Sequence, residues 1–190
     1  PNPHLWMNVQ YAMCYAEIAR DALAKVDPAN RAYYESNAKA YLALLDRLDK
    51  GIAQAAQTVP PPNRKLLTYH DSWAYFARRY GMTVIGAIQP SDFAEPRPQD
   101  VAALIDQLKR ENVPAIFGSE VFPSKVLDQI GKEAKVQFIS TLRDDDLPGQ
   151  KSAQEHTYVG MMLENMRTMM TALGGNASAL EGIDSANTFQ

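Results

Sequence analysis

The sequence predicts an α/β fold in which a long helical stretch is followed by a mostly parallel βα lobe. Three observations predict it. Apolar residues recur at helical spacing through residues 8–57. Consecutive prolines at 60–62 then stop the pattern. Beyond them, short β-rich runs alternate with helical segments of about ten residues or more, as in βαβ units.

Val9, Met13, Ala16, Ala19, Leu23 and Val26 set the spacing of a first helix over 8–26. Asp27-Pro28 reads as an N-cap followed by proline at the first helical position. Tyr34, Ala38, Tyr41, Leu45, Leu48, Ile52 and Ala55 then alternate steps of four and three without a slip. A helix that long spans about 45 Å at about 1.5 Å per residue. It is either packed along one domain or a spine between two lobes. After the prolines, the expected elements are a strand at 65–69, a helix at 72–80 and a strand at 83–88. A helix at 98–111, a strand at 115–118, a helix at 124–134 and a strand at 136–140 follow. A polar loop at 144–155 leads to a methionine-rich helix at 157–173, which Gly174-Gly175 ends. The polar tail to residue 190 is expected to be loose.

Composition excludes several function classes. With 46% hydrophobic and 22% charged residues the chain is globular rather than disordered. The net charge of −3 and the lack of a basic run argue against nucleic acid as a partner. No apolar stretch approaches the roughly 20 residues of a membrane span. The single cysteine, Cys14, rules out an internal disulfide or a cysteine-rich zinc site. Its helical setting reads as a small buried hydrophobe, the alternative being a partner outside these residues.

Parallel sheets bind ligands at the carboxyl ends of their strands, so the chemistry is sought there. The first strand ends at His70-Asp71. His70 reads equally as a zinc ligand and as a hydrogen-bonded structural residue. Asp71 either fixes a histidine tautomer or caps the next helix. Glu95, after the second strand, reads as structural or as a support for ligands. Glu120, after the third, is by default a helix-end charge or a hydrogen-bond acceptor. Asp144, Asp145 and Asp146 follow the fourth and invite a cation, or form a solvated turn; their spacing is not that of an EF-hand. Nothing local identifies His4, and His156 reads as a surface or packing residue. There is no phosphate loop, Gly-x-Ser-x-Gly elbow or His-Glu-x-x-His helix.

Six strings, taken in order, carry a resemblance. They are Asn-Pro-His-Leu-Trp-Met at 2–7, Tyr-His-Asp-Ser-Trp-Ala-Tyr-Phe at 69–76, Ala-Glu-Pro-Arg-Pro at 94–98, Pro-Ala-Ile-Phe-Gly-Ser-Glu at 114–120, Leu-Arg-Asp-Asp-Asp-Leu at 142–147 and Tyr-Val-Gly-Met-Met at 158–162. Together they resemble the zinc- and manganese-binding solute receptors of bacterial metal ABC importers, from residue 2 to about 173. The resemblance implies two α/β lobes joined by a rigid helix, with the metal between them. Residues 1–63 would be the end of the first lobe and the linking helix, 64–175 the C-terminal lobe and 176–190 a flexible tail. The first lobe, with a further histidine ligand, would precede Pro1.

The same resemblance makes His4 and His70 ligands, histidine at 70 marking zinc receptors where manganese receptors usually carry glutamate. It makes Asp145, or with a shifted gap Asp146, the carboxylate ligand. Trp6 and Trp73 would line the cleft. Glu120 is expected to support the ligands, as is Asp71 from its position. Three imidazoles and one carboxylate would fill a four-coordinate zinc shell and leave no site for reactive water. The expected function is therefore capture of Zn(II) for an ABC permease by a monomer in the periplasm or a cell-surface lipoprotein, and not catalysis. A manganese receptor of the same family and a metal-dependent hydrolase are the competing readings.

Overall fold

The computed structural model describes residues 2–89, 97–119 and 125–186. Helix α1 (Val9–Val26) is capped by Asn8, whose side chain accepts the Gln10 N–H at 3.0 Å. A 3-10 turn at Pro28–Asn30 leads into α2 (Arg31–Thr58), 28 residues long. The Asp27 carboxylate accepts from Asn30 Nδ2 at 2.8 Å and Tyr34 Oη at 2.7 Å, so it pins the hairpin that the two helices form.

Only one face of α1 is covered, and it runs through Met13, Ala16, Arg20 and Ala24. This corrects the expectation for Cys14. It sits about 100° around the helix from Met13 and is exposed, as are Leu23 and Val26. The fully buried residues of α2 all lie between Leu45 and Ala56, so its second half alone is sunk into the sheet lobe.

The lobe alternates β1 (Lys65–His70), α3 (Ala74–Tyr80), β2 (Thr83–Gln89), α4 (Pro98–Glu111), β3 (Ala115–Ser119), α5 (Lys125–Ala134), β4 (Gln137–Leu142) and α6 (Tyr158–Ala172). The four strands are all parallel, in the order β2-β1-β3-β4. Side-chain alternation divides the core between the two faces. Leu66 and Phe117 face α2, α3 and α6, whereas Leu67 and Ile116 face α4 and α5. Left-handed residues follow four of the helices: Gly81 (φ 73°) after α3, Asn112 (φ 50°) after α4, Lys135 (φ 59°) after α5 and Gly174 (φ 83°) past the cap of α6.

Three contacts tie the long helix to the lobe. Asp49 of α2 is 5% exposed and accepts from Arg79 Nε at 3.1 Å, from Arg79 Nη2 at 2.5 Å and from Tyr80 Oη at 2.8 Å. Arg64 reaches back to the carbonyls of Val59 and Gln57 at the end of α2. Residues 178–183 of the expected tail lie along α2, with Leu180 fully buried over Gly51, where a Cβ would meet Leu180 Cδ2 at 2.7 Å.

Candidate metal centre

The chain visits β2 on one side of β1 and then β3 and β4 on the other. The direction of strand order thus reverses between β1 and β3, and a crevice opens at their carboxyl ends. His70 is the last residue of β1. Its carbonyl accepts from Thr68 Oγ1 at 2.8 Å and from the Ser72 N–H at 3.0 Å, which fixes the turn at 71–73. That turn delays α3, whose N-cap is Trp73, so Asp71 does not cap the helix.

His4 arrives from the other end of the chain and is 5% exposed. Asn2 holds it. The Asn2 Oδ1 accepts the His4 backbone N–H at 3.0 Å and lies 2.8 Å from His4 Nδ1, while Asn2 Nδ2 donates to the Asp71 carbonyl at 2.5 Å. Tyr75 Oη adds a bond to the Asn2 carbonyl at 3.1 Å. With Nδ1 donating to Asn2, the lone pair of His4 sits on Nε2, which points at His70 Nε2 across 3.1 Å.

The third wall is the loop after β4. Asn165 of α6 is fully buried and accepts the Arg143 N–H at 2.9 Å while donating to the Arg143 carbonyl at 2.7 Å. Trp6 Nε1 donates to the Asp144 carbonyl at 2.9 Å, and Ser72 Oγ donates to Asp144 Oδ2 at 2.6 Å. On this pinned loop Asp145 Oδ1 comes to 3.6 Å from His4 Nε2.

One ligand atom each from His4, His70 and Asp145 therefore falls within 4.8 Å of the others. For metal bonds of about 2.0–2.2 Å, the edges of a tetrahedral site are about 3.3–3.6 Å. The observed 3.1 Å and 3.6 Å sit close to that range, and the three groups fit a divalent first-row ion. Electrostatics agree. Burial lowers the His4 pKa below the ordinary histidine value, against the raising effect of Asp145, and this net lowering favours the neutral imidazole that metal binding requires. Burial raises the Asp144 pKa, opposed by the Ser72 hydrogen bond.

Of the residues singled out from sequence, His4, His70 and Asp145 come together. Asp146 turns into its own loop, accepting the Leu147 N–H at 2.8 Å and lying 3.7 Å from Arg143. Asp71 takes part through its carbonyl, which accepts from Asn2, and its charge acts on His4. Trp6 meets the His4 ring edge-on at 5.2 Å, and Trp73, buried against Phe76, also lines the small pocket that holds His70 and Asp144. His156 Nδ1 lies 3.1 Å from the Pro148 carbonyl, consistent with a packing role. Glu95 and Glu120 lie outside the described residues. Asn2, Ser72 and Asp144 were not distinguished from sequence. The nearest signal was the position of Asn2 two residues before His4, the spacing of an Asx turn.

The model of the protein family described as zinc-uptake complex component A, periplasmic (ZnuA) matches residues 1–172. The zinc-binding protein TroA of Treponema pallidum is 30% identical over 176 residues, covering 90% of this chain and 57% of TroA. A solved TroA structure superposes with a TM-score of 0.81, covering 90% of this chain and 64% of that one. The manganese-binding lipoprotein MntA of Halalkalibacterium halodurans is 27% identical over 172 residues, covering 90% of this chain and 57% of MntA. The iron-binding protein YfeA of Yersinia pestis is 29% identical over 173 residues, covering 91% of this chain and 55% of YfeA. The chain spans a little over half the length of the curated relatives it matches.

Proposed function

The chain belongs to the family of zinc-uptake complex component A periplasmic proteins, and from that membership we propose that it captures Zn(II) outside the cytoplasmic membrane and delivers it to an ABC permease. The convergence of His4, His70 and Asp145 at the switch-point crevice carries this reading. The family description and the names of the relatives speak of uptake and binding rather than of a reaction. They also give three different metals, so the choice of zinc rests on donor chemistry. Two imidazoles and one carboxylate suit zinc, and imidazole donors favour zinc over manganese in the divalent series. Histidine at position 70, rather than glutamate, points the same way.

In this reading His4 Nε2, His70 Nε2 and Asp145 Oδ1 ligate the ion. A further ligand comes from a first lobe preceding residue 1. The protein works in the periplasm or as a cell-surface lipoprotein. No helix among the described residues is long and apolar enough to cross a membrane.

Calorimetric titration of the protein with zinc and with manganese tests the proposal. Zinc should bind more tightly, and His4→Ala and His70→Ala should each weaken it by well over about tenfold, because each removes a direct bond. Equal affinities for the two metals would overturn the choice of zinc. Unchanged affinity in both variants would overturn the site.

A further inference from the structure

Among the described residues, the only buried side-chain oxygen or nitrogen without a hydrogen-bond partner is Asp144 Oδ1. Asp144 is 4% exposed, and its other oxygen accepts from Ser72 Oγ at 2.6 Å. A buried carboxylate satisfied on one side only destabilises a fold, because it gives up hydration without full replacement. Among the described residues no ion pair joins it to a lysine or arginine. The titratable groups acting on it are Asp145, His70 and His4. Arg143, the nearest arginine in sequence, is directed to Glu164 at 3.3 Å and Asp146 at 3.7 Å.

The same carboxylate lies at the carboxyl ends of β1, β3 and β4, in a small pocket shared with Thr68, His70, Trp73 and Ser119. It is not in the group of His4, His70 and Asp145 atoms that a single ion would bridge. Those three residues bring one negative charge to a dication. A second carboxylate behind them brings the sum to zero.

We propose that Asp144, anchored by Ser72, is a charge-balancing and positioning residue for the captured dication: it does not ligate the ion, but opposes its charge from behind and holds the loop that presents Asp145. The inference rests on the metal-site reading above. The charge of the captured ion would offset the cost of burying this carboxylate.

Stability and affinity should therefore move in opposite directions. Asp144→Asn keeps the shape and an acceptor for Ser72 but removes the charge. In the protein it should raise the melting temperature of the metal-free form by about 2–4 °C. It should also weaken both zinc and manganese by a similar factor, roughly 10–100-fold. Asp144→Ser, which removes the same charge with a smaller polar group, should weaken both metals likewise. Circular dichroism of each variant checks that the fold is kept. Asp144→Asn and Asp144→Ser binding both metals as tightly as the parent, while His70→Ala loses binding, would overturn this role and leave the metal site standing. A fall in melting temperature together with affinity in Asp144→Asn would make Asp144 a structural residue only, and would equally overturn the proposal. Parent and His70→Ala binding alike would remove the site itself.

Discussion

The Nε2 atoms of His4 and His70 face each other at 3.1 Å although 66 residues separate them in the chain. The His4 side of this pair is set by Asn2, which holds Nδ1 at 2.8 Å and ties the loop to the Asp71 carbonyl. The His70 side is set by the end of β1 and by two hydrogen bonds to its own carbonyl. The two sides share the turn after His70, because the Asn2 side chain that holds the His4 ring also donates to the Asp71 carbonyl.

Asn2→Ala should accordingly weaken zinc binding by about 10–100-fold while leaving every direct ligand in place. The loss comes from a His4 ring free to rotate and to change tautomer. Asn2→Asp keeps an acceptor for Nδ1–H, loses the donor to Asp71, and should fall between Asn2→Ala and the parent. Calorimetry on the two variants checks the order, and equal affinities for all three proteins would mean that Asn2 does not orient the ring.

The acidic loop makes a second, graded prediction. Asp145 faces His4, whereas Asp146 is bonded to its own loop; both side chains are about half-exposed. Asp145→Ala should therefore weaken zinc more than Asp146→Ala, which should change affinity by less than about threefold. A dominant loss from Asp146→Ala would instead make Asp146 the carboxylate ligand.

Much of the fold was legible because it follows period. The steps of four and three through 34–55 mark α2, and the β-rich runs mark all four strands to within two residues at either end. Period does not say which face of a helix is covered, and Cys14 shows the consequence. The apolar positions of α1 are spaced correctly, yet Leu23 and Val26 are exposed with it. At the site, strand-end position pointed to His70, but His4 has no local pattern and entered only by resemblance. The roles of Asn2, Ser72 and Asp144 could not be read, since the bonds from Asn2 to the Asp71 carbonyl and from Ser72 to Asp144 span 69 and 72 residues. Three adjacent aspartates look alike in sequence; the clamp of Asn165, Trp6 and Ser72 on their loop is what distinguishes them.

Proton competition gives a third prediction. Histidine must be neutral to bind metal. Burial lowers the folded pKa of His4 below 6.5, with Asp145 opposing. A lowered folded value means that the neutral ring's contribution to metal-free stability is fully present above 6.5 and is lost as the pH falls through the lower folded value. Zinc affinity should fall over the same window, as the pH drops below about 6.5 and through the lowered folded value of His4. In His4→Ala the residual affinity should depend less steeply on pH than in the parent. Affinity that does not change across this range would exclude histidine ligation.

The last prediction concerns the anchor between the long helix and the lobe. Asp49 is nearly buried and accepts from both Arg79 and Tyr80, at the far end of the short helix that follows His70. Asp49→Ala removes the acceptor for Tyr80 Oη and leaves that hydroxyl buried without it, while the Arg79 side chain, about a third exposed, can turn toward water. The loss should be about 2–3 kcal/mol, as for hydrogen bonds to a charged group with one partner left behind. Asp49→Asn keeps an acceptor and loses only the charge, so it should lose less. Urea unfolding followed by circular dichroism measures both, and the midpoint should fall in the order parent, Asn variant, Ala variant. Zinc affinity well below the unfolding transition should hardly change in either, because His70 is fixed by β1 and its turn rather than by α2. A large loss of zinc binding in a folded Asp49→Asn protein would show that the long helix itself sets the position of the ligand.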